Sequence, residues 1–167
     1  QNGYNFEFVD YKFNKINNIN RCVNDYYKMS KNNKYYGLKH DVMKISDIHT
    51  LSFFIQIDWN IYFGFTIKEY EERKDIAQNE KFTELSTSIL NMNQFKENNK
   101  NTVIDRKWWI CWKYPKKKLN FYSFTSDNIF DLVDENKRKK IISDIREEIV
   151  DVITTFKQSQ EKQNASF

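Results

Sequence analysis

The chain has 167 residues and a formal net charge of +4; 40% of its residues are hydrophobic and 30% are charged. This length and apolar content are those of one folded domain with a hydrophobic core. Aromatic residues make up 17% of the chain, whereas it contains only three glycines and one proline. So few glycines exclude the glycine-rich loops with which dinucleotide-binding folds and P-loop NTPases approach phosphate.

The first predicted elements in chain order are a strand, a helix and a hairpin. Tyr4, Phe6 and Phe8 alternate with polar residues, which predicts a strand within residues 4–11, and apolar spacing predicts a helix over residues 16–29. The strongest alternation covers residues 51–59 and 61–67, on either side of a short turn, and predicts a β-hairpin. Gly64 within its second strand indicates a bulge or the close approach of another backbone.

The second half of the chain predicts a helix, a further hairpin and a final helix. Residues 82–92 form an amphipathic helical pattern, and we expect residues 91–102 to be a disordered surface loop. Residues 108–114 alternate as a third strand, with Trp108, Ile110, Trp112 and Tyr114 on one face. After a turn at residues 115–118, residues 119–125 are predicted to return antiparallel to it.

The clearest helix lies at the C-terminus. Apolar residues recur at steps of three and four from Ile141 to Phe156, Asp134 is the predicted N-cap, and a short helical turn follows Ser126. Together these patterns predict a single α+β domain over residues 1–156. Its antiparallel sheet is built from two sequential hairpins with helices packed on one face, and residues 157–167 are expected to be a frayed tail.

Few residues offer catalytic or metal-binding chemistry. Cys22 and Cys111 match no zinc spacing, so we expect reduced, buried thiols and a cytoplasmic protein. Asp58 interrupts the most apolar stretch, residues 48–67, so no membrane span is predicted.

Mg²⁺-dependent phosphodiester hydrolysis needs clustered carboxylates and often a lysine. Asp10 and Lys12 form a D-x-K pattern that makes them candidate catalytic residues, although such a short pattern also arises in any solvated charged segment.

A basic and aromatic cluster is the second candidate site. Lysines can pair with phosphates while an exposed indole stacks on a base, so the cluster predicts contact with DNA or RNA. Alternation leaves Trp109 as the one outward-facing indole, and the alternative is an ordinary solvated turn on a buried sheet. The residues assigned to this nucleic-acid site are Lys107, Trp109, Lys113, Lys116, Lys117 and Lys118.

Four segments, in chain order, carry a resemblance to a known family. They are IDWNIYFGFTI (57–67), KWWICWKY (107–114), NFYSF (120–124) and KKIISDIREEI (139–149). Over roughly residues 50–155 the chain resembles the C-terminal region of bacterial PD-(D/E)XK nuclease superfamily proteins. The resemblance implies an N-terminal nuclease core with Mg²⁺ as its cofactor and this chain as an excised C-terminal fragment. Only Asp10 and Lys12 match the core motif, so we expect no catalysis and no cofactor in this chain alone.

Three functions therefore stay open from the sequence. The first is a non-catalytic C-terminal domain of a nuclease-like protein that assists nucleic-acid or partner binding, with the N-terminal core of the same protein as one possible partner. The alternative is a stand-alone protein-interaction module with no nucleic-acid role. The third is that the chain is itself a Mg²⁺ nuclease that depends on Asp10.

Overall fold

A computed structural model of the protein describes residues 3–8, 24, 36–69, 80–96, 102–103, 109–121 and 127–165. The strands in these ranges are β1 (Glu7–Phe8), β2 (Tyr36–Lys44), β3 (His49–Ile57), β4 (Ile61–Glu69), β5 (Thr102–Val103) and β6 (Cys111–Lys113). The α-helices are α1 (Thr83–Leu90), α2 (Asn93–Lys96), α3 (Asp127–Phe130) and α4 (Glu135–Asn164), with a 3-10 turn at Glu80–Phe82 before α1. The fold is α+β, as the sequence predicts.

One six-stranded antiparallel sheet holds the strands in the order β1-β2-β3-β4-β6-β5. Its centre is the predicted hairpin of β3 and β4, in which Phe53 lies opposite Phe65 and Ile55 opposite Phe63. Residues directly opposite each other share a face of the sheet, so these four side chains point to the same side. The hairpin prediction is confirmed, and so is the N-terminal strand at β1. Residues 4–6 of that predicted strand are described and do not belong to a strand, whereas residues 9–11 and, apart from residue 24, the predicted helix over residues 16–29 lie outside the described residues.

The main core lies between one face of the sheet and the helices. Phe65 packs against Phe156 of α4, with their ring centres 5.2 Å apart, and Ile89 of α1 is fully buried. The residues that the helices and the turns beside them contribute to this core are Phe82, Ile89, Met92, Phe95, Ile149, Val152, Ile153 and Phe156. The amphipathic patterns of α1 and α4 thus meet the apolar face of the hairpin, which confirms that helices pack on one face. We call this the helix-covered face and the other the opposite face.

The predicted second hairpin is wrong in the described part of the chain. One edge of β6 pairs with β4 and the other pairs with β5, so neither edge is left for residues 119–125. Asn120 instead forms a bridge with Asn60, and the backbone N–H of Phe121 donates to the carbonyl of Trp59 at 2.8 Å. The predicted loop over residues 91–102 also differs, because it contains α2 and the start of β5; residues 97–101 and 122–126 lie outside the described part.

Gly64 permits the contact between β4 and β6. A Cβ atom built at this position would lie 2.0 Å from the carbonyl oxygen of Cys111 and 2.7 Å from the Cα of Trp112. No side chain fits at either distance, so the close approach of a second backbone, one of the two predicted reasons for a glycine here, is confirmed.

Helix α4 has 30 residues and begins at its predicted cap. The Asp134 carboxylate accepts a hydrogen bond from the backbone N–H of Lys137 at 2.9 Å. The tail that was expected to be frayed is helical in the structure as far as Asn164. Its Lys, Gln and Glu residues favour a helix, and its first residue, Lys157, contacts the N-terminal segment. The ammonium of Lys157 lies 4.8 Å from the ring centre of Tyr4 near the N-terminus.

Candidate functional site

The basic turn, residues 116–118, follows β6 and lies against α4. The backbone N–H of Lys116 donates to both carboxylate oxygens of Glu148, at 3.1 and 3.3 Å. The Lys118 ammonium lies 4.7 Å from the ring centre of Tyr114, which is within range of a cation–π contact. Contacts with α4 at one end and with the residue after β6 at the other therefore fix the turn.

An acidic stretch of α4 faces the basic turn. A surface cleft of about 480 Å³ is lined by Lys116, Lys117, Asp144, Ile145, Glu147, Glu148 and Asp151. Four carboxylates surround two ammonium groups in this cleft, so its net charge is negative. The lysines of the turn therefore present less positive potential to a phosphate chain than their number suggests.

Two residues of the predicted nucleic-acid site are buried. Trp109 is 4% exposed, and its ring centre lies 5.6 Å from that of Phe54. The expectation that Trp109 is an outward stacking platform is wrong, because the opposite face of the sheet is itself buried at this position. Lys113 is 7% exposed, and its ammonium donates to the carbonyl oxygen of Gln94 at 3.2 Å. This side chain is held in the interior, where a phosphate cannot reach it.

Lys113 is buried because the alternate side chains of β6 point to the faces of the sheet opposite to those predicted. Cys111 and Lys113 lie opposite Phe65 and Phe63, on the helix-covered face, whereas Trp112 lies opposite Gly64 on the other face. Trp112 there contacts Tyr62 and Tyr114, with ring centres 4.8 and 5.1 Å away. Trp112 therefore packs against other aromatic residues on the opposite face of the sheet.

Three other predicted site residues cannot be placed. Asp10, Lys12 and Lys107 lie outside the described residues, as does Cys22. Of the six residues assigned to nucleic-acid binding, the structure thus brings Lys116, Lys117 and Lys118 together in the basic turn and separates them from the buried Trp109 and Lys113.

A buried polar cluster on the opposite face was not predicted from the sequence. Ser52 donates to Asp41 Oδ1 at 2.7 Å, and the Lys68 ammonium lies 3.1 Å from the same oxygen. The side chain of Lys68 is 7% exposed, whereas that of Asp41 is 52% exposed. Burial by itself raises the pKa of Asp41, but the Ser52 and Lys68 hydrogen bonds and the charges of Lys68 and Lys39 outweigh it, so the pKa lies below its ordinary value. The Asp41 carboxylate thus neutralises the charge of the buried Lys68 ammonium.

Exposed apolar side chains gather at one end of the molecule. Of the six large apolar side chains that are exposed among the described residues, five lie near the β3–β4 turn and the start of α4, and only Ile48 lies elsewhere. The five are Ile57, Trp59, Phe130, Val133 and Ile142. We call this surface the apolar end; Trp59 is 52%, Phe130 61% and Val133 84% exposed.

The backbone connects the parts of the apolar end. The carbonyl of Trp59 is bonded to the N–H of Phe121, and Phe121 packs against the small core cluster of Leu119, Ile129 and Ile141. Ile129 precedes Phe130 in α3, and the Val133 N–H donates to the Phe130 carbonyl at 3.1 Å. The segments that carry these exposed side chains are therefore connected by backbone hydrogen bonds and by the small core cluster.

Other reactive groups are few in the described part of the chain. No group of three or more His, Cys, Asp or Glu residues that could hold a metal ion occurs among the described residues. Cys111 is a free, fully buried thiol, and burial raises its pKa far above its ordinary value, which agrees with the predicted inert packing. None of the described helices is both long enough and apolar enough to cross a membrane.

Comparison with known proteins gives no relative from which a function could be transferred. No family model matches the chain, and neither a curated protein nor a solved structure is significantly similar to it.

Proposed function

We propose that the chain is a binding domain that holds a protein partner at its apolar end. The observation that carries the proposal is that Trp59, Phe130 and Val133 are each more than half exposed, on segments that backbone hydrogen bonds and the small core cluster join at one end of the fold. Single exposed apolar residues are common on protein surfaces, but a contiguous group of them is typical of an interaction site. Tryptophan and phenylalanine also supply much of the binding energy in interfaces because they bury large areas.

Charge around the apolar end indicates the chemistry of the partner. The first turns of α4 carry four consecutive cations, residues 137–140. The basic turn is connected to the same region, because the carbonyl of Lys118 accepts a hydrogen bond from Asn128 of α3, at 3.4 Å. Lys137, Lys139 and Lys140 form ion pairs with neighbouring carboxylates, but exposed pairs of this kind are weak and can exchange partners. An apolar peptide segment flanked by Asp or Glu residues therefore complements this surface.

Selection from a displayed library of random peptides tests the proposal. Peptides are selected on the wild-type chain after removal of those that bind a Trp59→Ser/Phe130→Ser variant. We expect enrichment of apolar segments with acidic flanks, and retention of their binding by an Ile48→Ser variant, which removes an exposed side chain elsewhere. No enrichment over the double variant, or enrichment of basic peptides, would contradict the proposal.

A second candidate function is nucleic-acid binding by the basic turn, as the resemblance to PD-(D/E)XK proteins implies. The observation that favours it is that Lys116 and Lys118 are exposed, with Lys116 held through its backbone N–H and Lys118 through the contact of its ammonium with the Tyr114 ring. Titration of single- and double-stranded DNA and RNA over a salt series tests it. Phosphate contacts predict affinity that falls steeply with salt and is lost when residues 116–118 are changed to Gln. Affinity that is insensitive to salt or to these substitutions would exclude it.

Two further expectations from the sequence belong with these proposals. One is that this domain accompanies a nuclease core in a cytoplasmic protein; the other is that the chain itself cleaves nucleic acid with Mg²⁺. The second requires that metal-dependent cleavage be present in the wild type and be lost in Asp10→Ala. Cleavage that survives this substitution, or that needs no metal, would reject it.

A further inference from the structure

An apolar cleft of about 390 Å³ opens between the sheet and α4. Leu38, Ile55 and Ile61 from three adjacent strands line it on one side, and Ile145 and Ile149 of α4 line it on the other. Its volume lies within the range of small-molecule sites, about 300–1,000 Å³, and such sites are also mostly apolar. We propose that this cleft binds an amphipathic carboxylate, whose tail lies against these side chains and whose carboxylate pairs with Arg146.

The cleft exists because α4 is attached to the sheet at two separate places. Ile149 belongs to the main core, whereas Ile141, two turns earlier, belongs to the small cluster with Leu119 and Ile129. Ile145 lies between them and contacts both clusters. Packing on both sides therefore holds the helix in place, while the space between the two clusters is left unfilled.

The N-terminal segment forms a further wall and is fixed on both sides. The hydroxyl of Tyr4 is hydrogen-bonded to that of Thr154 in α4, at 2.8 Å. The ring of His40 in β2 lies 5.3 Å from that of Tyr4 and 5.4 Å from that of Phe6, between ring centres. A cleft whose walls are already held costs little ordering when a ligand enters, which favours binding.

Arg146 supplies a cation at the edge of this apolar cleft. The helix positions three and four residues away from it are occupied by Ile142, Ser143, Ile149 and Val150, so none of these neighbours on its face of α4 is acidic. Within the part of the chain that the structure describes, no carboxylate forms an ion pair with it, in contrast to Lys137, Lys139 and Lys140 earlier in α4. A guanidinium in this position can bind a carboxylate through two parallel hydrogen bonds.

The surroundings of Arg146 favour a single negative charge over a doubly charged phosphate. Glu147 and Asp151 line a neighbouring surface depression together with Arg146, so a dianion would be repelled more strongly than a carboxylate. A water molecule occupies about 30 Å³ of liquid, and a methylene group is of similar size, so the cleft has room for about a dozen heavy atoms. Decanoate matches both the charge and the size.

Titration with three ten-carbon probes tests the proposal. Decanoate and decyltrimethylammonium, each below its micelle-forming concentration, and decan-1-ol, below its solubility limit, are added to protein with ¹³C-labelled isoleucine methyl groups. We expect saturable shifts of Ile57, Ile61, Ile142 and Ile145 with decanoate, and none at Ile48. Decanoate should bind about five times more tightly than decan-1-ol, the upper range for an exposed ion pair, and decyltrimethylammonium should bind more weakly than either. Octanoate should bind about tenfold more weakly than decanoate because it buries two fewer methylene groups.

Substitutions separate the charge from the cleft. Arg146→Gln should weaken decanoate about fivefold and leave decan-1-ol unchanged, whereas Lys96→Gln, the same charge change away from the cleft, should affect neither. Val150→Phe should fill the cleft and abolish binding of both probes, with thermal unfolding confirming that the variant is folded. Absence of saturable binding, equal affinity for the anionic and cationic probes, or no effect of Arg146→Gln would overturn the proposal. Ile57 and Ile142 belong to both the cleft and the apolar end, but none of these titrations involves a partner protein, so their outcome is separate from that of the proposed function.

Discussion

The Asp41–Lys68 pair allows a stringent test of the energetics of the sheet. Asn at position 41 keeps the shape of the side chain but removes the negative charge, and leaves the Lys68 ammonium buried without the carboxylate that pairs with it. Loss of one partner from a fully buried pair costs about 3–5 kcal/mol, whereas a fully exposed pair is worth about 0–1 kcal/mol. Because Asp41 is half exposed, water screens part of this cost, and we expect Asp41→Asn to lower the free energy of unfolding by about 2 kcal/mol at pH 7.

The pH dependence of this difference has a definite direction. The pKa of Asp41 in the folded protein lies below its ordinary value of 3.8, so at pH values between the two the unfolded chain binds more protons. The wild type is therefore fully stabilised by this carboxylate above about pH 5, and loses that contribution as the pH falls through the lowered folded pKa. The difference between wild type and Asp41→Asn should be constant near neutral pH and shrink in acid.

Urea unfolding at a series of pH values, followed by circular dichroism, measures both effects. Asp47→Asn is the matched control, because its pair with Lys44 is exposed and should contribute less than about 1 kcal/mol. The double variant Asp41→Asn/Lys68→Met should regain much of the loss, since a neutral pair leaves no uncompensated charge. Equal effects of Asp41→Asn and Asp47→Asn, or a difference that grows in acid, would refute the reasoning.

Three further substitutions or modifications test the fold. Gly64→Ala should destabilise the protein by about 3 kcal/mol or more in urea unfolding, because its Cβ would collide with the backbone of β6; a loss below 1 kcal/mol would contradict this contact. Asp134→Ala should cost about 1 kcal/mol through loss of the cap, measured in the same way, whereas Asn136→Ala within the first turn should not. In a Cys22→Ser background, the buried thiol of Cys111 should react with a disulfide reagent only after unfolding; rapid reaction of the native protein would be inconsistent with its burial and raised pKa.

The centre of the fold was predictable because its alternation is strong, whereas its edges depend on contacts distant in sequence. Residues 51–59 and 61–67 alternate with Phe54 as the one exception, and they cover most of β3 and β4. Strand β2 escaped prediction because the register shifts between Asp41 and Met43, which breaks the period of two, and because only part of it faces the core. The partner of β6 could not be deduced either, since nothing local shows that β4 and β5 occupy its two edges.

The candidate site was partly predictable for a similar reason. The exposed lysines of the basic turn follow from its composition, but alternation separates only the two faces of a strand and does not show whether either is open to water. For this reason the sequence places Trp109 and Lys113 on the surface, whereas both side chains are buried in the structure. The apolar end brings together the β3–β4 turn, α3 and α4, and no sequence pattern links these segments.

The central claim is that the apolar end is the binding surface, and the affinity of one enriched peptide tests it most directly. The peptide is titrated against the wild-type chain, Ile48→Ser and Trp59→Ser/Phe130→Ser, each confirmed as folded. We expect equal affinity for the first two and at least about 30-fold weaker binding to the third because of the loss of aromatic anchors. Equal affinity for all three proteins, or a comparable loss in Ile48→Ser, would contradict it.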